Sequence, residues 1–216
     1  MVAVIFHEVA HGYAALKLGD TTAKDMGRLT LNPIPHIDPI GTVAIPLILI
    51  LLKSPFLFGY ARPVPVNFMR LKNPKKGMIL VSAAGPATNF LVAIIAAVLI
   101  RVILILHPIS DISAKVPFPE SIIITIVTIL FYTLMLSVVL GLFNLTPIPP
   151  LDGGRIAVGL LPNEAAIKYS RIEPFGIFIV LGLLFLTPLS KVFYIVIISI
   201  AYLLLGGETF GLFIGG

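Results

Sequence analysis

Residues 78–106 include a single charged side chain, Arg101, and residues 122–143 include none. An apolar run of about 20 residues is enough to cross the hydrocarbon core of a bilayer as a helix, the one single-segment structure that satisfies its own backbone where no water is present. Two such runs leave no room for an ordinary soluble core. The composition agrees, with 58% hydrophobic residues, 12% charged residues and a mean hydropathy of +1.07. The expected fold class is therefore an all-α polytopic membrane protein. Five transmembrane helices are expected, at 2–18, 78–106, 122–143, 172–189 and 192–205.

The segment 20–67 does not fit a simple crossing. Its apolar stretch, 43–52, is about half the length a spanning helix needs and contains Pro46. Lys24 and Arg28 precede it, and Lys53, Arg62, Arg70, Lys72, Lys75 and Lys76 follow it. Basic residues mark the cytoplasmic side, so both ends are expected there, with a re-entrant or β-hairpin-like segment between them. A full crossing that reaches residue 58 is the alternative. Residues 59–67, with prolines at 63 and 65, are expected to be extended. The connection 107–121, poor in Lys and Arg, is expected outside. A short helix is expected at 155–161, a tight turn at Ser190 and Lys191, and a weakly structured tail from 206 to 216.

The net charge is +5 and the pI about 9.6, but the basic residues sit in short connections and form no continuous patch. That pattern serves topology and gives no reason to expect a nucleic-acid partner. The chain has no cysteine, so neither a disulfide nor a thiolate metal ligand is available.

Against this background the stretch His7-Glu8-Val9-Ala10-His11 stands out. Residues four apart on a helix differ in direction by only about 40°, so both imidazoles can close on one ion while Glu8 falls beside them. Two histidines so placed bind zinc, and the intervening glutamate acts as general base on a metal-activated water. Chance would produce this spacing in roughly two chains per thousand of this composition. A tetrahedral zinc site then needs a third protein ligand. Asp152 is the best candidate: Pro147, Pro149 and Pro150 precede it and Gly153 and Gly154 follow it, close to apolar segments where an unpaired carboxylate is costly. His36, in a turn-rich loop, is a weaker candidate. In the long apolar run, Gly85 and its small neighbours permit close helix packing, Pro86 is expected to kink the helix, and Asn89 places an amide at membrane depth as helix glue or as support for the metal.

Three sets of residues in this order resemble the site-2 protease family of intramembrane zinc metalloproteases: His7-Glu8-Val9-Ala10-His11-Gly12, Gly85-Pro86-Ala87-Thr88-Asn89, and Asn144-Leu145-Thr146-Pro147 leading to Leu151-Asp152-Gly153. The resemblance covers nearly the whole chain and points to a short form with no PDZ or CBS domain, residues 1–216 making one domain. Members usually carry a further membrane helix ahead of the metal helix; here His7 follows six residues after the start, so either the start is truncated or this copy lacks that helix. The resemblance implies one Zn²⁺ held by His7, His11 and Asp152, Glu8 as catalytic base, and Asn144 helping to bind substrate or the oxyanion. Gly85, Pro86, Asn89 and Pro147 are expected to support the site. The implied activity is hydrolysis of a peptide bond in or near a transmembrane segment of a protein substrate. The enzyme is expected in the cytoplasmic membrane as a multi-pass protein, its site within the bilayer nearer the cytoplasmic face. Residues 59–67 are expected to pair with an unwound substrate strand. The alternatives are a metal transporter or scaffold without proteolytic activity, and a membrane zinc protease taking Glu164 or Glu173 as third ligand.

Overall fold

The computed structural model describes residues 2–53, 59–107 and 118–214, and among them all regular structure is helical. Ten α-helices follow in order: α1 (Val2–Lys17), α2 (Thr22–Asp25), α3 (Ile45–Leu51), α4 (Pro74–Leu106), α5 (Phe118–Asn144), α6 (Asp152–Leu160), α7 (Asn163–Ser170), α8 (Gly176–Leu186), α9 (Leu189–Leu205) and α10 (Gly207–Ile214). Three stretches are long and apolar enough to cross a membrane: Pro74–Leu106, Ser121–Asn144 and Asn163–Leu186.

The 33-residue helix α4 is the hub, packed against α1, α5, α6 and α9. Its inner face carries Ala93, Ala96, Ala97 and Ile100, which let α5 approach through Val127, Phe131, Leu134 and Val138. Small residues at such contacts replace the hydrophobic effect, which is weak between helices already in lipid, by close van der Waals packing. The opposite faces present Leu91, Ile95, Val98, Ile129 and Leu136 outward, as a lipid-facing helix must. The helix begins four residues earlier than the apolar pattern suggests because Asn73 caps it, its side chain accepting from the Lys76 amide. It continues unbroken past Pro86. Arg101 donates from Nε to the carbonyl of Leu205 at 3.0 Å and so caps α9, where a cation meets the negative end of the helix dipole.

No hairpin forms within 20–67 among the described residues. Asp38 accepts from the amides of Ile40 and Gly41 and starts a π-helical turn, Pro39–Ala44, that runs directly into α3. The returning segment donates inward from Tyr60 and Arg62, but the stretch opposite is coiled into turns at Ile34–His36 and Pro39–Ala44, so no strand stands there to complete a ladder. Residues 54–58, the end of the alternative crossing, and most of the connection 107–121 lie outside the described residues. The short helix expected at 155–161 starts at Asp152 instead. The turn between α8 and α9 falls at Thr187 and Pro188, with Ser190 and Lys191 already helical, since proline sits well just before a first turn. The tail is ordered as α10: Phe213 stacks on Phe131 with centroids 4.1 Å apart, and Phe210 is buried in the same cluster.

Candidate metal centre

Helix α1 puts His7 and His11 on its buried side, one turn apart, with their rings edge to face at 4.6 Å between centroids. The Nε2 atoms are 3.0 Å apart. Asp152, the first residue of α6, brings Oδ2 to 3.1 Å from His7 Nε2 and 3.3 Å from His11 Nε2. Among the described residues these three form the one group of side chains able to share a metal ion. A tetrahedral zinc with bonds of about 2.0–2.1 Å has donor-to-donor edges of about 3.3 Å, close to all three distances.

The hydrogen bonds around the histidines also fit a cation. Val81 offers only a carbonyl oxygen, 2.7 Å from His11 Nδ1, so that nitrogen carries the proton and Nε2 holds a lone pair. Asn89, fully buried, places Nδ2 3.0 Å from His7 Nδ1 and leaves its Oδ1 without a partner, the mark of a carboxamide that belongs turned over. Either end of a carboxamide fills that place by shape, and its oxygen end accepts the Nδ1 proton and frees Nε2 in the same way. Asp152 Oδ2 is buried and accepts no hydrogen bond. A buried carboxylate oxygen facing two ring nitrogens is costly without positive charge between them, and a bound cation would supply it.

Glycines make the convergence possible. A β-carbon on Gly85 would lie 2.5 Å from the His11 ring and 2.6 Å from the His7 ring, so α4 approaches the imidazoles only because that position is bare. On the other side, a β-carbon on Gly153 would strike the Leu145 carbonyl, and one on Gly154 would strike the backbone of Ile148 and Pro149. The loop after α5 therefore folds tightly back on the start of α6 and fixes Asp152. Its Pro149–Pro150 bond is cis, and the Tyr169 hydroxyl donates to the Pro147 carbonyl. Pro86 is buried in α4, its missing N–H leaving the Ser82 carbonyl without its helical donor.

The three side chains open onto a cavity of about 180 Å³ that Glu8 and Asn144 also line. Glu8 Oε2 accepts from the Val64 amide at 2.8 Å. Asn144 donates from Nδ2 to the Leu140 carbonyl of its own helix at 3.0 Å, which leaves its second N–H and its carbonyl oxygen for another partner. Residues 59–67 run along the cavity wall without helix or strand. The amides of Tyr60, Arg62 and Val64 alternate inward, onto the Gly41 carbonyl, the His36 carbonyl and Glu8, as in an extended chain.

His36 is not at the metal group: it is fully buried and its Nε2 bonds the Thr30 carbonyl at 2.8 Å. Neither Glu164 nor Glu173 joins the group; Glu173 instead faces Arg155 at 4.0 Å. Sequence reasoning missed Ser82, whose buried hydroxyl lines the cavity with no hydrogen-bond partner, and Arg155, which lines its rim with the guanidinium over the Phe68 ring. The position of Ser82, three residues before Gly85 on the same helix face, was the available signal.

The comparisons with known proteins agree with this chemistry. The chain is 42% identical over 193 residues to "Putative zinc metalloprotease YwhC" of Bacillus subtilis, covering 88% of this chain and 80% of that one. It is 27% identical over 194 residues to "Putative zinc metalloprotease Rip2" of Mycolicibacterium smegmatis, covering 90% and 68% respectively. It is 30% identical over 164 residues to "Zinc metalloprotease MJ0392" of Methanocaldococcus jannaschii, covering 76% of this chain and 33% of that one. No solved structure matches the chain. The model of peptidase family M50, the site-2 proteases, matches residues 1–187, and the chain belongs to that family.

Proposed function

We propose that the protein is an intramembrane zinc endopeptidase that hydrolyses a peptide bond in or near a transmembrane segment of a protein substrate. The observation that carries this reading is the meeting of His7 Nε2, His11 Nε2 and Asp152 Oδ2 within 3.0–3.3 Å, beside Glu8, in a chain made of lipid-facing helices. Family membership and the zinc metalloprotease names of the relatives support it.

His7, His11 and Asp152 are assigned as the ligands of one Zn²⁺. When bound, zinc polarises the scissile carbonyl and lowers the pKa of a water towards about 7. Glu8 takes the proton of the attacking water and passes it to the leaving amine. Asn144 uses its unspent N–H to bind the substrate or its developing oxyanion, and Asn89 and Val81 hold the two imidazoles in the tautomer that ligation needs. Gly85, Pro86 and Pro147 shape the walls. A substrate helix has to unwind before its carbonyls become available. The extended segment 59–67 guides the unwound strand. Since its inward amides and the carbonyls of Tyr60, Arg62 and Pro63 are already bonded and Pro63 and Pro65 offer no donor, that guidance rests on the outward amide and carbonyl of Ala61, the Pro65 carbonyl and the apolar side chains.

Residues 1–216 are assigned to one domain with crossings at α1, α4, α5 and α9. The fifth crossing expected at 172–189 does not fit: Leu189 and Phe193 of α9 lie with Phe143 and Thr146 at the end of α5 while Leu205 meets Arg101, so α9 runs in the same direction as α4, and α8 begins and ends near the end of α5. Helix α3 is assigned to enter the membrane without traversing it. At about 1.5 Å per residue α3 covers only about 10 Å, a third of the hydrocarbon thickness. Lys72, Lys75, Lys76, Lys168 and Arg171 flank the end of the bundle where α6 and α7 lie, which assigns that end, and the site near it, to the cytoplasmic side of the cell membrane. A transporter would need a chain of polar sites, and the described residues hold one cluster able to take a metal.

The test is to purify the protein, measure bound zinc, and follow cleavage of a labelled transmembrane peptide. Glu8→Gln is expected to keep zinc and lose cleavage; Asp152→Ala is expected to lose both. Normal cleavage by Glu8→Gln would overturn the assigned base, and zinc binding without cleavage by the parent would favour a scaffold.

A further inference from the structure

We propose that Arg28 is a positioning residue for the general base, acting at a distance by clamping the segment that holds Glu8; this rests on the protease reading above. Arg28 is a buried arginine outside the metal group. Gly27, at φ +64°, reverses the chain after α2 and turns Arg28 inward, a conformation that side chains with a β-carbon rarely adopt. Its Nη2 then donates to the Arg62 carbonyl at 2.9 Å and to the Pro63 carbonyl at 3.3 Å. These are the two residues immediately before Val64.

Val64 is the point at which the clamp reaches the chemistry. Its amide donates to Glu8 Oε2 at 2.8 Å. Pro63 and Pro65 have no N–H, so no neighbouring amide can replace it if the segment slips by one residue. The approach also depends on Gly12, one turn after Glu8 on the same face of α1: a β-carbon there would lie 2.8 Å from Val64 Cγ1 and 2.4 Å from Leu29 Cδ2. The segment is anchored beyond the clamp as well, by the Arg62 amide on the His36 carbonyl and the Asn67 amide on Asp20 Oδ2. A glutamate side chain is flexible and faces an open cavity here. With Oε2 held by the Val64 amide, rotation is restricted and Oε1 is left for the proton of the attacking water.

The clamp explains what the stretch from Arg28 to Thr42 does. His36, Gly41 and Thr42 offer a row of partners to the same segment, the Thr42 hydroxyl donating to the Tyr60 carbonyl at 2.8 Å. Among the described residues no hydrogen bond or ion pair joins this stretch to His7, His11 or Asp152, so loss of the clamp should leave metal binding intact.

The experiment compares the full-length parent with Arg28→Ala, Arg28→Lys and Gly12→Ala, reading zinc content, kcat and KM for a transmembrane peptide, and hydrogen exchange of the Val64 amide. Arg28→Ala is expected to keep its zinc, to lower kcat about ten- to hundredfold with little change in KM, and to speed exchange at Val64. Arg28→Lys, which keeps one charged donor, is expected to recover part of kcat. Gly12→Ala displaces Val64 from the opposite side and is expected to give the same split between kcat and KM. Unchanged Val64 exchange or unchanged kcat in Arg28→Ala would overturn the proposal, and so would a defect confined to KM. A parent that binds zinc and cleaves no peptide would instead count against the protease reading, while Val64 exchange still decides whether the clamp exists.

Discussion

The two histidines owe their hydrogen-bonding state to different partners. His11 is oriented by a main-chain carbonyl, which no substitution of Val81 removes. His7 is oriented by the Asn89 side chain, fully buried and 82 residues away in the chain. Asn89→Ala is therefore expected to weaken zinc binding about ten- to hundredfold, the usual cost of losing a partner that orients a ligand, as read by competition with a chromophoric chelator. Unchanged affinity would show that packing by Gly85 alone orients the ring. The helical spacing made His7, Glu8 and His11 legible in the sequence, because four residues along a helix fix their relative directions. Arg28 and the tautomers were not legible, since each depends on which atom from a distant segment comes to lie nearby.

At the scale of elements, the segment 59–67 shows how much side chains do where regular structure is missing. Asp20, just after α1, accepts from the Thr22 hydroxyl, the Asn67 amide and the Thr22 amide. Burial by itself pushes its carboxyl up, but these hydrogen bonds and the charge of Arg70 outweigh burial and hold it below the ordinary carboxylate range. A carboxyl whose pKa is lower in the folded state contributes stability above the unfolded value of about 3.9, lost as pH falls through the folded one. The melting temperature is therefore expected to fall as the pH drops below about 4, and Asp20→Asn is expected to flatten that part of the profile while lowering stability at pH 7. An unchanged profile in the variant would assign the acid sensitivity to other carboxylates. Helix α10 makes a similar point about aromatics. Glycines at 206, 207 and 211 suggest a loose tail, yet Phe213 stacks on Phe131 and Phe210 is buried beside it. Phe213→Ala is expected to cost about 1 kcal/mol, measured by thermal unfolding in detergent.

Over the whole molecule, the site and the principal core are separate. The cluster of Ala93, Ala97, Ile100, Leu134 and Val138 lies between α4 and α5 beyond the metal group and contains no residue of it. Chelation is therefore expected to abolish cleavage while leaving the helical circular dichroism unchanged. It should also lower the melting temperature, since a ligand at about 100 times its Kd adds about 2.7 kcal/mol. Restoring zinc should recover both activity and melting temperature; collapse of helicity on chelation would mean that the metal holds the bundle together.

The sequence by itself determined that the chain lives in lipid and is helical there, because apolar length and backbone hydrogen bonding leave no alternative. It also determined the pairing of His7 with His11, a property of one helix. Asp152 was legible as a candidate from its proline and glycine setting, but only tertiary structure decided that it meets the histidines, through glycines at 85, 153 and 154 that admit the necessary close approaches. The same holds for Arg28 and Val64, whose contacts join positions 34 and 56 residues apart. Local geometry follows from the covalent chain; contacts at long range depend on how whole helices and loops pack, and no residue pattern states that directly.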